Sequence, residues 1–136
     1  MNKEKLIEEL KRDEGVELRP YKCSAGFLTL GVGRNIEERG ITMDESDYLL
    51  ANDIKICEEE ASKVFKWFPS LTDDRQRAII NMVFNLGLTK LLHFKNFIAA
   101  MEAGDYETAG KEMLDSKWAR QVGNRSDRLE QMIVNG

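Results

Sequence analysis

The sequence predicts an α+β fold that is mostly α, with a small β-hairpin or sheet near the N-terminus and helices after it. Three observations carry that expectation. Apolar residues recur at helical spacing over most of the 136 residues. One stretch, Phe27-Leu28-Thr29-Leu30-Gly31-Val32, alternates instead with period two. The length suits one domain, since domains run to ~100–200 residues and a chain this long buries one core.

Each element has its own signal. Leu6, Ile7 and Leu10 lie on one face of a helix from about residue 3 to 14, and Gly15 is placed to stop it. Residues 16–34 change character, punctuated by Pro20 and Gly26, and Gly31 and Gly33 mark tight backbone near the end of the β element. Thr42-Met43-Asp44-Glu45 has the form of a capping box, with Thr at the N-cap and Glu three residues on. A long helix should follow, its apolar face carrying Leu49, Leu50, Ile54, Cys57, Ala61, Val64 and Phe65, with Pro69 closing that region. Thr72 caps a run, Ala78-Ile79-Ile80-Asn81-Met82-Val83-Phe84, that is apolar nearly all round and reads as the central buried helix, ending at Gly87. Shorter helices are expected at about 93–103, 106–115 and 124–134, the last capped by Asn124. There is no internal repeat and no linker.

Composition narrows the chemistry. Apolar residues make up 42% and charged residues 32%, which is too apolar for a disordered chain. The net charge of −4 and pI of about 5.2 argue against bulk nucleic-acid or anionic-membrane binding. The deficit lies in residues 1–68, with 11 basic and 15 acidic side chains, against nine of each in 69–136. Within the second half, Lys117, Arg120, Arg125 and Arg128 face only Asp127 over residues 116–128, a local basic segment. A single histidine, His93, and two cysteines, Cys23 and Cys57, exclude a zinc finger, a disulfide scaffold and a multi-histidine metal cage. No apolar run reaches the ~18 residues of a membrane span, and residues 1–11 lack the apolar core of a signal peptide. Cytoplasmic accumulation with reduced thiols is the expectation.

What remains for chemistry is carboxylates, hydroxyls and Cys23. Glu14 stands in the last turn of the first helix, where the negative end of the helix dipole disfavours ionisation, and a carboxylic acid kept protonated is what general-acid catalysis needs. The alternative is one more surface glutamate in a charged helix. Thr29 has the opposite strand parity from Leu28, Leu30 and Val32; with those three packed inward it faces a cleft or solvent, where a hairpin brings it and Cys23 opposite Glu14. The plain readings are β-propensity for Thr29 and a small buried hydrophobe for Cys23.

Glu14, eight residues, Cys23, five residues and Thr29 make a spaced signature. With Asp13-Glu14-Gly15, Tyr21-Lys22, Gly26, Gly31, Gly33, Ile41-Thr42-Met43-Asp44-Glu45, Ile80-Asn81-Met82-Val83-Phe84-Asn85-Leu86-Gly87, Ser116-Lys117-Trp118 and Asn124-Arg125, it resembles the phage lysozymes of the T-even endolysin type, in order and over nearly the full chain. The segment between Gly33 and Ile41 is shorter than in that family.

The resemblance implies a lysozyme-like two-lobed fold, a single domain over 1–136. Its N-terminal lobe spans about 13–60, and its helical C-terminal lobe spans 61–136 plus the N-terminal helix 1–12, with the glycan in the cleft. It implies a muramidase that cleaves, with inversion, the β-1,4 bond between N-acetylmuramic acid and N-acetylglucosamine in bacterial peptidoglycan. Glu14 is then the general acid, and Cys23 and Thr29 hold or activate the attacking water. Arg34, Asn85, Gln121 and Arg125 take substrate-binding positions; Arg125 corresponds to an arginine that pairs with the catalytic glutamate, and Arg34 stands where T-even-type enzymes carry histidine. Asn81, Phe84, Trp118 and Asp13 read as structural and Cys57 as core. No cofactor, metal, nucleic acid or stable membrane insertion is expected. The protein is expected to be a monomer made in the host cytoplasm, released by a holin-dependent lesion to act in the periplasm or cell wall. The rival readings are a lytic transglycosylase acting on the same bond and a non-catalytic peptidoglycan-binding module.

Overall fold

A computed structural model describes all residues 1–136. Its elements run α1 (Lys3–Glu14), β1 (Glu17–Lys22), β2 (Leu28–Gly31), β3 (Arg34–Asn35), α2 (Ile36–Arg39), α3 (Met43–Val64), a 3₁₀ turn (Phe68–Ser70), α4 (Asp73–Leu86), α5 (Leu88–Leu91), α6 (Lys95–Ala103), α7 (Tyr106–Leu114), α8 (Lys117–Val122) and α9 (Asn124–Asn135). The expected class holds: one small antiparallel sheet in order β1-β2-β3, then helices. The chain divides into two compact units, Met1–Tyr48 and Leu49–Gly136, at a point inside α3.

The first unit holds α1, the sheet and α2. Asn2 caps α1 by accepting from the Lys5 N–H, and Gly15 ends it at φ +75°, with its N–H on the Lys11 carbonyl. Tyr21 faces Thr29 across β1–β2, and Thr29 faces Asn35 across β2–β3. The parity expected for β2 is reversed. Thr29 is the buried residue, 3% exposed, while Leu28 and Val32 are each 37% exposed. Thr29 belongs to the central strand, and its hydroxyl is satisfied locally by donating to the Phe27 carbonyl at 2.9 Å, so it can be buried without an orphaned polar group. No residue of α1 is buried, and Thr29 alone is buried in this unit.

The start of α3 is the expected capping box. The Glu45 N–H donates to Thr42 Oγ1 at 3.2 Å, and the Thr42 N–H returns to Glu45 Oε1 at 2.9 Å. The expected apolar face of α3 is only half used. Cys57, Ala61 and the following Phe65 are buried, whereas Leu49, Leu50, Ile54 and Val64 are between 37% and 51% exposed.

The second unit contains the apolar core. α4 buries Ala78, Ile79, Met82 and Val83, a single stripe, and leaves Phe84 47% exposed, so it is one-sided rather than apolar all round. Against that stripe pack Leu91, Phe97, Met101, Met113, Leu129 and Ile133 from the later helices. Gly110 lets α7 approach α9 closely, since a Cβ there would sit 2.7 Å from Val134. Asn124 does not cap α9. Gly123 occupies the N-cap at φ +57°, Asn124 is already the first helical residue, and the buried Ser126 ties the junction by donating to the Gly123 carbonyl at 2.7 Å. Three short helices, α2, α5 and α8, have no counterpart in the sequence expectations, because four to six residues are too few to show a period.

Candidate active site

The elements of the first unit place four of the expected site residues. Glu14 ends α1, and Gly15, in a backbone conformation open to glycine, turns the chain away immediately after it. The exposed Glu14 carboxyl lies against the backbone of Gly33, so close that a Cβ on Gly33 would stand 2.9 Å from Oε2 and 3.1 Å from Cδ. Gly33 has φ +63°, in the turn joining β2 to β3. Glycine is therefore needed there twice, for the turn and for the close approach.

Cys23 sits at the other hairpin, between β1 and β2. Its N–H donates to the Phe27 carbonyl at 3.0 Å, and its own carbonyl accepts from Gly26 at 2.8 Å, which closes a tight turn over residues 23–27. The thiol is half-buried and free. The backbone N–H of Phe27, then that of Ala25, holds its pKa below the ordinary thiol value; desolvation opposes them, and the Thr29 hydroxyl and the Gly26 N–H add smaller effects in the lowering direction. Thr29 has one proton to share. It donates to the Phe27 carbonyl in this geometry, and turning it to the sulfur would support a thiolate. Cys57 is the opposite case. It is buried in the core, and desolvation first, then Glu60 and Asp53, pushes its thiol up.

These two clusters share one sheet. Asn35 of β3 faces Thr29 of β2, and Gly33 lies in the turn just before β3. Glu14 thus meets the sheet at the β2–β3 turn, while Cys23 lies at its other end, in the β1–β2 turn beyond the Lys22–Leu28 pair.

Arg34, beside Gly33, is committed to protein contacts. Its Nη1 and Nη2 meet the two carboxylate oxygens of Glu45 at 2.7 Å each, and Nη1 also reaches the Gly40 carbonyl at 3.3 Å. The Thr42 N–H first, then Arg34, lowers the Glu45 carboxyl to about 2.

The other three expected residues lie in the second unit and do not cluster. Asn85 Oδ1 accepts from the indole Nε1 of buried Trp118 at 2.8 Å. Gln121 is exposed on α8. Arg125 donates through Nε to Asn81 Oδ1 at 2.9 Å. Within this unit, a cavity of about 780 Å³ runs between a stripe of α3 (Leu50, Ile54, Glu58, Ser62) and a stripe of α4 that includes Ile80, Asn81 and Phe84, with Arg125 also lining it. That is within the range of ligand pockets. Neither Asn85 nor Gln121 lines it. The four-residue spacing of the α3 stripe was the sequence signal for this cavity; it passes for core spacing, since both line a helix face in the same way. Glu45 and Gly33 are the site residues that spacing alone missed. The capping box and the tight glycines were visible, but their contacts to Arg34 and Glu14 join positions 11 and 19 residues apart.

No group of three or more His, Cys, Asp or Glu side chains is arranged to hold a metal ion, and no helix is long and apolar enough to cross a membrane.

The phage lysozyme profile matches residues 11–132. A probable T4-type lysozyme of Dictyostelium discoideum is 31% identical, with 93% of this chain and 92% of the relative covered. That match runs over 156 aligned positions, more than the chain has, so gaps open in this sequence, as a shortened segment requires. An endolysin of Acyrthosiphon pisum secondary endosymbiont phage 1 is 32% identical over 86% of this chain and 79% of its own length. The pre-baseplate central spike protein of Enterobacteria phage T4 is 29% identical over 96% of this chain, which spans only 28% of that longer protein. With a profile match from α1 to α9 and relatives of this identity covered nearly end to end, the chain belongs to the phage lysozyme family.

Proposed function

We propose that this lysozyme is an endolysin-type muramidase that hydrolyses, with inversion, the β-1,4 bond between N-acetylmuramic acid and N-acetylglucosamine in bacterial peptidoglycan. The observation that carries the reading is the sheet-borne pairing of an acid with a water-holding pair. Glu14 rests on Gly33 in the turn before β3, and Thr29 on the central strand and Cys23 in the β1–β2 turn belong to the same sheet. Inverting glycosidases keep their two groups ~6.5–9.5 Å apart to leave room for water, so acid and water-holding groups are expected on separate segments, as Glu14 and the β1–β2 hairpin are.

In this mechanism protonated Glu14 gives its proton to the glycosidic oxygen as the bond to the anomeric carbon breaks. Water attacks that carbon from the opposite face and loses its proton to the Cys23 thiolate, while the Thr29 hydroxyl orients it. Proton return from Cys23 to Glu14 through solvent restores the site. The N–H groups of Phe27 and Ala25 that favour the thiolate would equally hold an aspartate side chain. Acetal hydrolysis by this route needs no cofactor. Asn85, Gln121 and Arg125 are the proposed sugar contacts, whereas the Arg34 guanidinium is taken up by Glu45. Arg125 with Asn81 offers hydrogen-bonding groups at a cavity of suitable volume. The proposed setting is synthesis as a monomer in the host cytoplasm, with access to the wall after holin-dependent permeabilisation.

Two measurements test the reading. Glu14→Gln should abolish clearing of cell-wall suspensions; wild-type clearing by that variant would overturn the acid assignment, and no clearing by the wild type would favour a binding module. Mass spectrometry of digested peptidoglycan should find reducing N-acetylmuramic ends. Products ending in 1,6-anhydro-muramic acid would assign the chain to the lytic transglycosylases instead.

A further inference from the structure

We propose that the Arg34–Glu45 ion pair is the positioning device for Glu14, holding the turn at residues 31–34 beneath its carboxyl. The inference rests on the reading of Glu14 as the general acid. The Glu14 carboxyl lies on the Gly33 backbone, and Arg34 is the next residue. The Arg34 guanidinium grips both oxygens of Glu45 at 2.7 Å, in the forked geometry that only arginine offers a carboxylate. Glu45 Oε1 is also fixed by the Thr42 N–H at 2.9 Å, and Arg34 Nη1 by the Gly40 carbonyl at 3.3 Å. One ion pair thus joins β3, the end of the loop after α2, and the first turn of α3.

Little else restrains this turn. The unit buries only Thr29, α1 buries nothing, and β3 is two residues long. Where apolar packing is this sparse, a polar clamp decides where the backbone sits. A general acid must meet its substrate oxygen within a fraction of an ångström, and a misplacement of ~1 Å can cost a hundredfold in rate. Arg34 therefore acts on the reaction through Gly33 and Glu14, as a positioning residue, and its bidentate use on Glu45 makes that its main task.

The test uses the full-length protein and soluble, uncross-linked peptidoglycan glycan strands, at a temperature where circular dichroism shows every variant folded. Arg34→Gln and Glu45→Gln should each lower kcat roughly ten- to hundredfold, with KM changed less than about twofold. The double charge exchange, Arg34→Glu with Glu45→Arg, should recover kcat to within a few-fold. Should the exchanged protein not fold, Arg34→Lys replaces it: a point charge without the fork should give an intermediate kcat, and wild-type kcat would overturn the proposal. A rise in KM at unchanged kcat in Arg34→Gln would make Arg34 a sugar contact and overturn it. So would a lowered melting temperature with unchanged kcat and KM. Glu14→Gln is measured alongside. If it stays active, the acid assignment itself falls; if it is inactive while Glu45→Gln keeps full kcat, only the positioning proposal falls.

Discussion

At Cys23 the proposed water-activating group is a thiol, and its surroundings set it apart from the other cysteine of the chain. The N–H groups of Phe27 and Ala25 lower its pKa while burial raises that of Cys57, so the two thiols should differ in reactivity. Iodoacetamide at neutral pH should label Cys23 of the folded protein first and remove activity in step; equal labelling of Cys57 would contradict the assignment. Cys23→Ser should reduce activity severely, because a hydroxyl in that turn does not ionise, while Cys23→Asp keeps much of it, and a serine variant as active as the wild type would exclude an essential thiol. Gly33→Ala should be as damaging to kcat as a change in the clamp, since its Cβ would meet the Glu14 carboxyl in a strained backbone conformation. Spacing singled out Glu14, Cys23 and Thr29, but which way Thr29 points was not legible. A strand of four residues between glycines does not say which face is buried, and a threonine whose hydroxyl bonds its own neighbour's carbonyl can take the inner one.

Among the elements, the capping box at Thr42 and Glu45 was legible because it is local, a matter of two residues three apart. Its second use was not legible, since Arg34 reaches Glu45 only after a turn, a strand and a short helix have been traversed. The Glu45 carboxyl, at about 2 in the fold against an ordinary 4.5, adds stability that is complete above pH 4.5 and is lost as pH falls from 4.5 toward about 2. The melting temperatures of wild type and Glu45→Gln should therefore differ at pH 6 and converge toward pH 2; a gap that persists at pH 2 would show that the contact does not depend on the charge. The helix α8 shows a different failure of sequence reading. Ser116 caps it by accepting from the Ala119 N–H at 3.1 Å, a local signal, but Lys117 and Arg120 made the segment look like a solvated basic stretch rather than the carrier of buried Trp118. Replacing Asn85 by Ala should cost about 1–3 kcal/mol in chemical denaturation, because the indole N–H of Trp118 then lacks its partner.

Over the whole molecule, apolar burial is concentrated in the second unit, where Ile79, Met82, Met101, Met113 and Ile133 are almost fully enclosed. Ile79→Ala or Met113→Ala should cost ~2–5 kcal/mol by the loss of packed volume, measured as a shift in denaturation midpoint. The first unit is held differently, by sheet hydrogen bonds, helix caps and one forked ion pair. The same change of an apolar residue in α1, such as Ile7→Ala, should change stability much less, since Ile7 is 50% exposed. The net charge of −4 disfavours anionic partners in bulk. Locally it is offset at Arg125, an arginine lining the cavity of the second unit with Asn81 as its hydrogen-bond acceptor.

The sequence by itself determined the fold class, the order of the long elements, the family and the spaced residues Glu14, Cys23 and Thr29, since periodicity, caps and motif spacing are properties of neighbouring residues. Only the tertiary structure decided that Glu14 rests on Gly33, that Arg34 is spent on Glu45, that Thr29 is buried, and that α4 buries one stripe rather than its whole surface. Each of those depends on which distant residue comes to meet a side chain, and a linear pattern carries no record of that until the chain has turned back on itself.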